Sequence, residues 1–137
     1  APAITDIING QITYTMETVA ATLPHIKSGR LKALAVSTIK RPGGLPDVPT
    51  VAESTDLKDF DAAAWIGYAA PAGTPRDVLQ KLSSEMHKIL ASPETKEKLV
   101  QLGLDPAPSS PDEMRGFLAR EQERYASIIK MANVKIE

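Results

Sequence analysis

The sequence has no cysteine and only two histidines, and both scarcities exclude kinds of chemistry. Without cysteine, the 137 residues offer no disulfide, no thiolate metal ligand and no cysteine nucleophile. His25 and His87 lie far apart, and neither has a second ligand at the three- or four-residue spacing of a helical metal site. We therefore expect no metal site and no cofactor, while the lack of cysteine leaves the compartment open.

An excess of one charge and long apolar runs are also missing. The 16 basic and 17 acidic residues give a net charge of -1, which removes the electrostatic basis for binding nucleic acid. No apolar run approaches the roughly 20 residues that span a bilayer. With 42% hydrophobic and 24% charged residues, the composition suits one ordinary domain with a sizeable core.

Motifs for catalysis or phosphate binding are missing as well. Gly43-Gly44 lacks the lysine and the following helix of a phosphate-binding loop, so we interpret it as a surface turn. No Gly-x-Ser-x-Gly elbow occurs. Acidic pairs such as Asp112 with Glu113 lie in a predicted first helical turn, where carboxylates complement free backbone N–H groups.

The first 36 residues alternate between helical and strand patterns. Apolar residues at helical spacing predict a short helix that ends at Asn9-Gly10. Strict alternation over 12–16 predicts a half-buried strand, and Thr18 can cap a helix over 19–28. An apolar strand is predicted over 31–36. Strand, helix and strand at this spacing indicate a parallel βαβ unit.

The second part of the chain is predicted to contain a loop, a buried strand and three helices. Prolines and glycines break regular structure over 41–49, and uncharged apolar residues through 60–70 favour a strand buried on both faces. Each helix is expected to turn an apolar stripe inward. The start signals are Thr74-Pro75 for a helix over 75–91, Ser92-Pro93 for a helix ending at Gly103, and Ser110-Pro111 for the final helix.

Two helix starts are candidates for binding an anion. Free N–H groups at Ala1-Pro2-Ala3 and Glu17-Thr18 would lie beyond the carboxyl ends of parallel strands, where ligands settle in α/β proteins. The alternative, that both are ordinary caps, carries equal weight. For Trp65, packing in the core is favoured over a place in the wall of a cleft, because a tryptophan buries a large area.

Several segments resemble one receptor family in the same order along the chain. They are Ala1-Pro2-Ala3-Ile4-Thr5-Asp6-Ile7-Ile8-Asn9-Gly10-Gln11, the run from Leu23 to Val36 that begins Leu-Pro-His-Ile-Lys-Ser-Gly, the loop from Leu45 to Glu53, and Ala70-Pro71-Ala72-Gly73-Thr74-Pro75. In these segments the chain resembles the extracytoplasmic solute receptors of tripartite tricarboxylate transporters, the TctC or Bug family.

The resemblance implies an α/β fold of the periplasmic-binding-protein-like (type II) class, two-lobed, with a parallel or mixed sheet and flanking helices. Such a receptor is not an enzyme: it closes in the periplasm around a small organic carboxylate, such as a di- or tricarboxylate, and presents it to a membrane permease. Residues 1–58 are expected in the second lobe, and 59–137 in a crossing segment and the C-terminal part of the first lobe.

The resemblance also implies a set of ligand-binding residues. One departure concerns Glu17, because the family commonly has Phe-Asp-Asn where this chain has Met16-Glu17-Thr18, which leaves the ligand preference open. A contact expected from a short aspartate would come from a longer glutamate. The implied ligand-binding residues are Ala1, Pro2, Ala3, Asp6, Glu17, Thr18 and Trp65.

Receptors of the family are roughly twice this length, so the resemblance implies a fragment, the C-terminal half. Unpaired edges and uncovered apolar area would then favour a homo-oligomer, and half a clamp would bind carboxylates weakly. One alternative is an interaction or regulatory module that uses the amphipathic helices over 75–131. Another is an enzyme with Asp6 or Glu17 as a base.

Overall fold

Six helices run through the computed structural model, which describes residues 2–135. The three short ones lie in the first part of the chain, and α4 and α6 are the longest, at 16 and 21 residues. In chain order the helices are α1 (Pro2–Ile8), α2 (Val19–Lys27), α3 (Val51–Ser54), α4 (Arg76–Ala91), α5 (Pro93–Gln101) and α6 (Pro111–Met131).

Side-chain caps begin three of the helices as the sequence predicted. Thr18 Oγ1 accepts a hydrogen bond from Ala21 N at 3.4 Å at the start of α2. Ser92 Oγ accepts one from Thr95 N at 3.3 Å at the start of α5. At α6, Ser110 forms a reciprocal capping box with Glu113. These caps satisfy N–H groups that the first helical turn leaves free.

The predicted cap of α4 is wrong. The helix begins at Arg76, with Pro75 in the cap position and no side-chain hydrogen bond to the first turn. Thr74 Oγ1 instead donates to the carbonyl oxygen of Pro71 at 2.8 Å, and Thr74 N donates to the same oxygen at 3.2 Å. The threonine hydroxyl is therefore engaged in the preceding turn, away from the helix start.

The strands predicted over 12–16, 31–36 and 60–70 are also wrong as regular elements. Within residues 2–135 the only strand-like pairing is an isolated parallel bridge between Val36 and Thr50. Val36 N donates to Pro49 O, and Val51 N donates to Val36 O, both at 2.9 Å. A strand exists only with a partner alongside, and the described residues place no second extended segment beside these three.

The small core lies where α2 packs on the segment before the bridge. Leu23, Val36 and Leu45 form its buried centre, and Leu23 is only 1% exposed. The apolar face predicted for α2 is thus confirmed, since Val19 and Ile26 pack against the same cluster. This core fixes α2 relative to the loop over 41–49.

The end of α5 joins the two parts of the chain. Gly103, at φ 76°, approaches the backbone of Ala20 at the start of α2 so closely that an added β-carbon would lie 2.9 Å from Ala20 N. Beside it, both carboxylate oxygens of Asp105 accept from Gly43 N, at 3.1 and 3.3 Å. The loop over 41–49 is therefore held between α2 and the end of α5.

The apolar stripes of the long helices do not face inward as predicted. Neither α4 nor α6 has a buried residue, and the members of both stripes are half-buried or exposed. Within residues 2–135, the one pair of helices that packs extensively is α4 with α5. These stripes offer the area that a further layer of structure would cover. The exposed members are Val78, Leu82 and Ile89 on α4, and Leu118, Tyr125, Ile128 and Ile129 on α6.

Two capping boxes give the fold a defined response to acid. Hydrogen bonds from the backbone N–H of Thr50 and from Arg41 hold the pKa of Glu53 below its ordinary value of 4.5. The backbone N–H and hydroxyl of Ser110 lower the pKa of Glu113 in the same way. Because the folded pKa is depressed, this stabilisation is complete above the ordinary value and is lost as the pH falls through the folded pKa.

We therefore expect the variant with both Glu53→Gln and Glu113→Gln to lose less Tm than the parent between about pH 5 and pH 3. Glutamine accepts the same hydrogen bonds but does not titrate in this range. Thermal unfolding followed by circular dichroism measures the difference. The matched control is Glu123→Gln, which changes a mid-helix glutamate of α6 away from any cap; an equal effect from the control would contradict this explanation.

Candidate functional site

An open cavity of about 570 Å³ lies between α1 and α2. Its walls combine apolar side chains with one acidic, one basic and one histidine side chain, a mixture that suits a small polar molecule with a carbon backbone. The lining residues are Ile4, Thr5, Ile8, Asn9, Glu17, Ala21, His25 and Arg30.

Helical spacing explains why these residues share one cavity. Residues 4, 5, 8 and 9 are neighbours on one face of α1. Glu17 directly precedes the cap of α2, and Ala21 and His25 follow at four-residue intervals, so all three line one side of that helix. The opposite side of α2 carries Leu23 into the core, which holds the cavity side in place.

Charges are distributed along the length of the cavity. Glu17 lies where α2 begins, and Arg30 lies beyond its C-terminal end, with its Nε donating to Ser28 Oγ at 3.2 Å. Between them, His25 Nδ1 is a buried atom without a hydrogen-bond partner among the described residues. The two ends of the cavity therefore differ in charge, and a histidine nitrogen stands between them.

The structure brings only part of the predicted site to this cavity. Glu17 lines it, whereas Asp6 and Thr18 are near in sequence but are not part of its lining. Ala3 lies half-buried in the first turn of α1, which begins at Pro2, and Ala1 lies outside the described residues. Roles in ligand binding for these residues remain predictions.

Trp65 lies in a different part of the molecule. Its ring packs edge-to-face on Phe117 of α6, with centroids 5.2 Å apart and planes at 85°. The side chain is 44% exposed, so the favoured interpretation of a core residue does not hold. It does not line the α1–α2 cavity either. Whether Trp65 contacts a ligand stays a prediction.

Sequence reasoning missed His25 and Arg30 as cavity residues. The histidine was considered only as a metal ligand, and Arg30 only as part of the family motif. The usable signal was the spacing of Glu17, Ala21 and His25, which places all three on the side of α2 opposite Leu23.

Within residues 2–135, no helix is long and apolar enough to cross a membrane. The same residues contain no group of three or more histidine or acidic side chains placed to hold a metal ion. The chemistry available at the cavity is therefore that of hydrogen bonds, ion pairs and apolar contact.

Solved structures define the class of fold. A R. palustris protein, Rpa4515 with adipate, matches 96% of this chain with a TM-score of 0.85 and 30% identity. The periplasmic binding protein BugD matches 99% of the chain with a TM-score of 0.77 and 32% identity. The chain covers 44% and 46% of those two proteins. Its fold is thus that of a part of an α/β periplasmic binding protein, as predicted.

Residues 1–134 match the model of the tripartite tricarboxylate transporter family receptor, TctC, and the chain belongs to this family. BugT of Bordetella pertussis is 33% identical over 136 residues, which are 99% of this chain and 41% of BugT. A UPF0065 protein from the tcbD–tcbE intergenic region of Pseudomonas sp. strain P51 is 35% identical over 94% of this chain and 38% of its own length. The chain thus spans about two fifths of these relatives.

Proposed function

We propose that this chain takes part in an extracytoplasmic receptor that captures a small organic carboxylate in the periplasm for a tripartite tricarboxylate transporter. The observation that carries the proposal is the TM-score of 0.85 over 96% of the chain to a protein solved with adipate. The family is one of transport receptors, which favours binding and delivery to a membrane permease over catalysis.

In this proposal the α1–α2 cavity is one wall of the ligand cleft. Residues 1–58, which carry α1 and α2, belong to one lobe, and 59–137 supply the crossing segment and part of the other. Glu17 at the cavity favours a ligand with a hydrogen-bond donor beside its carboxylate, since a carboxylate side chain only accepts hydrogen bonds. Closure of two lobes would then exclude water from the ligand.

The interaction-module alternative draws on the exposed stripes of α4 and α6. Both helices lie inside the segment of 1–134 that the receptor family model matches. Their exposed apolar faces are therefore part of the family fold, which favours the receptor as the explanation.

We expect the chain by itself to bind adipate with a Kd on the order of 1 mM or weaker, because the cavity is open and half a clamp encloses little of a ligand. Isothermal calorimetry measures this, and adipamide, which has the same length without the charges, is the matched control. Tight binding of adipate by the isolated chain would contradict the half-clamp explanation. Equal heats from adipate and adipamide would contradict recognition of a carboxylate.

A further inference from the structure

Residues 63–70 form an extended segment whose backbone is unpaired. The last backbone hydrogen bond before it joins Ala62 N to Ser37 O at 2.8 Å, and Ser37 Oγ donates to Ala62 O at 3.0 Å. From 63 to 70 the described residues show no further backbone hydrogen bond. The segment carries no charged side chain. It is thus anchored at its start and bare along both edges.

Side chains of this segment alternate as they do in a β-strand. Trp65 packs on Phe117, and a β-carbon added to Gly67 would lie 3.4 Å from Met114 Cε, so the odd-numbered positions face α6. Ile66 and Tyr68 are 78% and 81% exposed and do not share these contacts. A period of two is the geometry of a strand with one face on a helix.

An uncovered apolar strand has an energetic reason to acquire neighbours. Its N–H and C=O groups on both edges form a template for pairing, and Ile66 and Tyr68 offer apolar area on the free face. Strands buried on both faces and paired on both edges are uniformly apolar, as this segment is. The sequence therefore suits an interior strand, whereas the structure shows one that is covered on a single face.

We infer that residues 63–70 are a docking strand for the amino-terminal part of a receptor of this family, whose strands pair with both of its edges. The share of the fold outside the match supports this occupant, since Rpa4515 aligns with 96% of this chain yet only 44% of Rpa4515 is covered. A second copy of the chain is the weaker candidate, because pairing of two identical strands occupies one edge of each and leaves the other bare.

Hydrogen exchange tests the inference on the whole chain. In the chain alone, the amides of 63–70 should exchange at nearly the rate of an unstructured peptide, because they have no hydrogen-bond partner. Co-expression with the part of BugT that lies outside the matched segment should give a one-to-one complex. In that complex we expect exchange at 63–70 to slow by at least about 100-fold.

A pair of lysine variants locates the contact. Ile66 and Met131 are both strongly exposed, at 78% and 80%, so Ile66→Lys and Met131→Lys should leave the helical circular dichroism of the chain unchanged. A lysine at Ile66 would be buried among the new strands, and we expect it to lower the yield of complex at least about tenfold. Met131→Lys, at the end of α6, should give the parental yield.

Three results would overturn the inference. The first is no complex between the chain and the BugT part. The second is equal loss of complex in both lysine variants, which places the contact outside 63–70. The third is protection of 63–70 in the chain alone that rises with concentration together with the mass of a dimer, which makes a second copy the occupant.

Discussion

Gly103→Ala is expected to destabilise the chain by about 3 kcal/mol, the sum of a backbone and a packing effect. Gly103 adopts a φ of 76°, a conformation that residues with a β-carbon rarely adopt. An added β-carbon would lie 2.9 Å from Ala20 N and 3.0 Å from the carbonyl carbon of Val19. Both are backbone atoms at the start of α2, so α5 and α2 must separate to admit the methyl group.

Gly29→Ala is the matched control, because Gly29 has nearly the same φ of 73° and an added β-carbon there meets nothing within 4 Å. We expect it to cost about 1 kcal/mol, the backbone effect alone. Urea unfolding of both variants and the parent measures the difference in the free energy of unfolding. If both variants lose the same amount, the close approach of α5 to α2 does not exist in solution.

Leu23→Ala is expected to lower the free energy of unfolding by about 3 kcal/mol. Leu23 is 1% exposed and lies at the centre of the core with Val36 and Leu45. Removing its side chain leaves a cavity that α2 and the bridge segment cannot close without losing their contacts. Because this core is small, the loss is a large share of the stability of a chain this size.

The control for the core is Leu34→Ala, in the same segment as Val36 but 70% exposed. We expect a change within about 0.5 kcal/mol, since an exposed side chain loses little on truncation. Urea unfolding under identical conditions compares the two. A cost at Leu34 equal to that at Leu23 would show that the segment before the bridge packs differently from the structure.

Local chemistry made the helices predictable from the sequence. Thr18, Ser92 and Ser110 cap the helices that the patterns placed after them, since capping depends only on residues three positions apart. The same signal was overlooked at Thr50-Val51-Ala52-Glu53, where Thr50 and Glu53 form a capping box that begins α3. Thr74 failed because a nearby turn competed for its hydroxyl group.

Strands were less predictable because their formation depends on distant partners. The alternation over 12–16 and the apolar run over 60–70 describe what a strand prefers but do not supply its neighbour. At Val36, where Thr50 lies alongside, a bridge does form. The predicted inward stripes of α4 and α6 failed for the same reason, because nothing in residues 2–135 covers them.

For the site, sequence reasoning placed Glu17 at the cavity and identified the family, whereas His25 and Arg30 emerged only from the structure. The first two followed from a local cap and a run of motifs. The others required knowing that α1 lies beside α2, a tertiary contact that no local pattern contains.

The most direct test of the central claim is a map of backbone amide chemical shifts in the nitrogen-labelled chain titrated with adipate. The proposal is that the α1–α2 cavity meets the carboxylate, so shifts should cluster at Thr5, Glu17, Thr18 and Ala21 and stay small in α4 and α6. Adipamide should leave these amides in place. Shifts confined to α4 and α6, or none with excess adipate, would contradict the proposal.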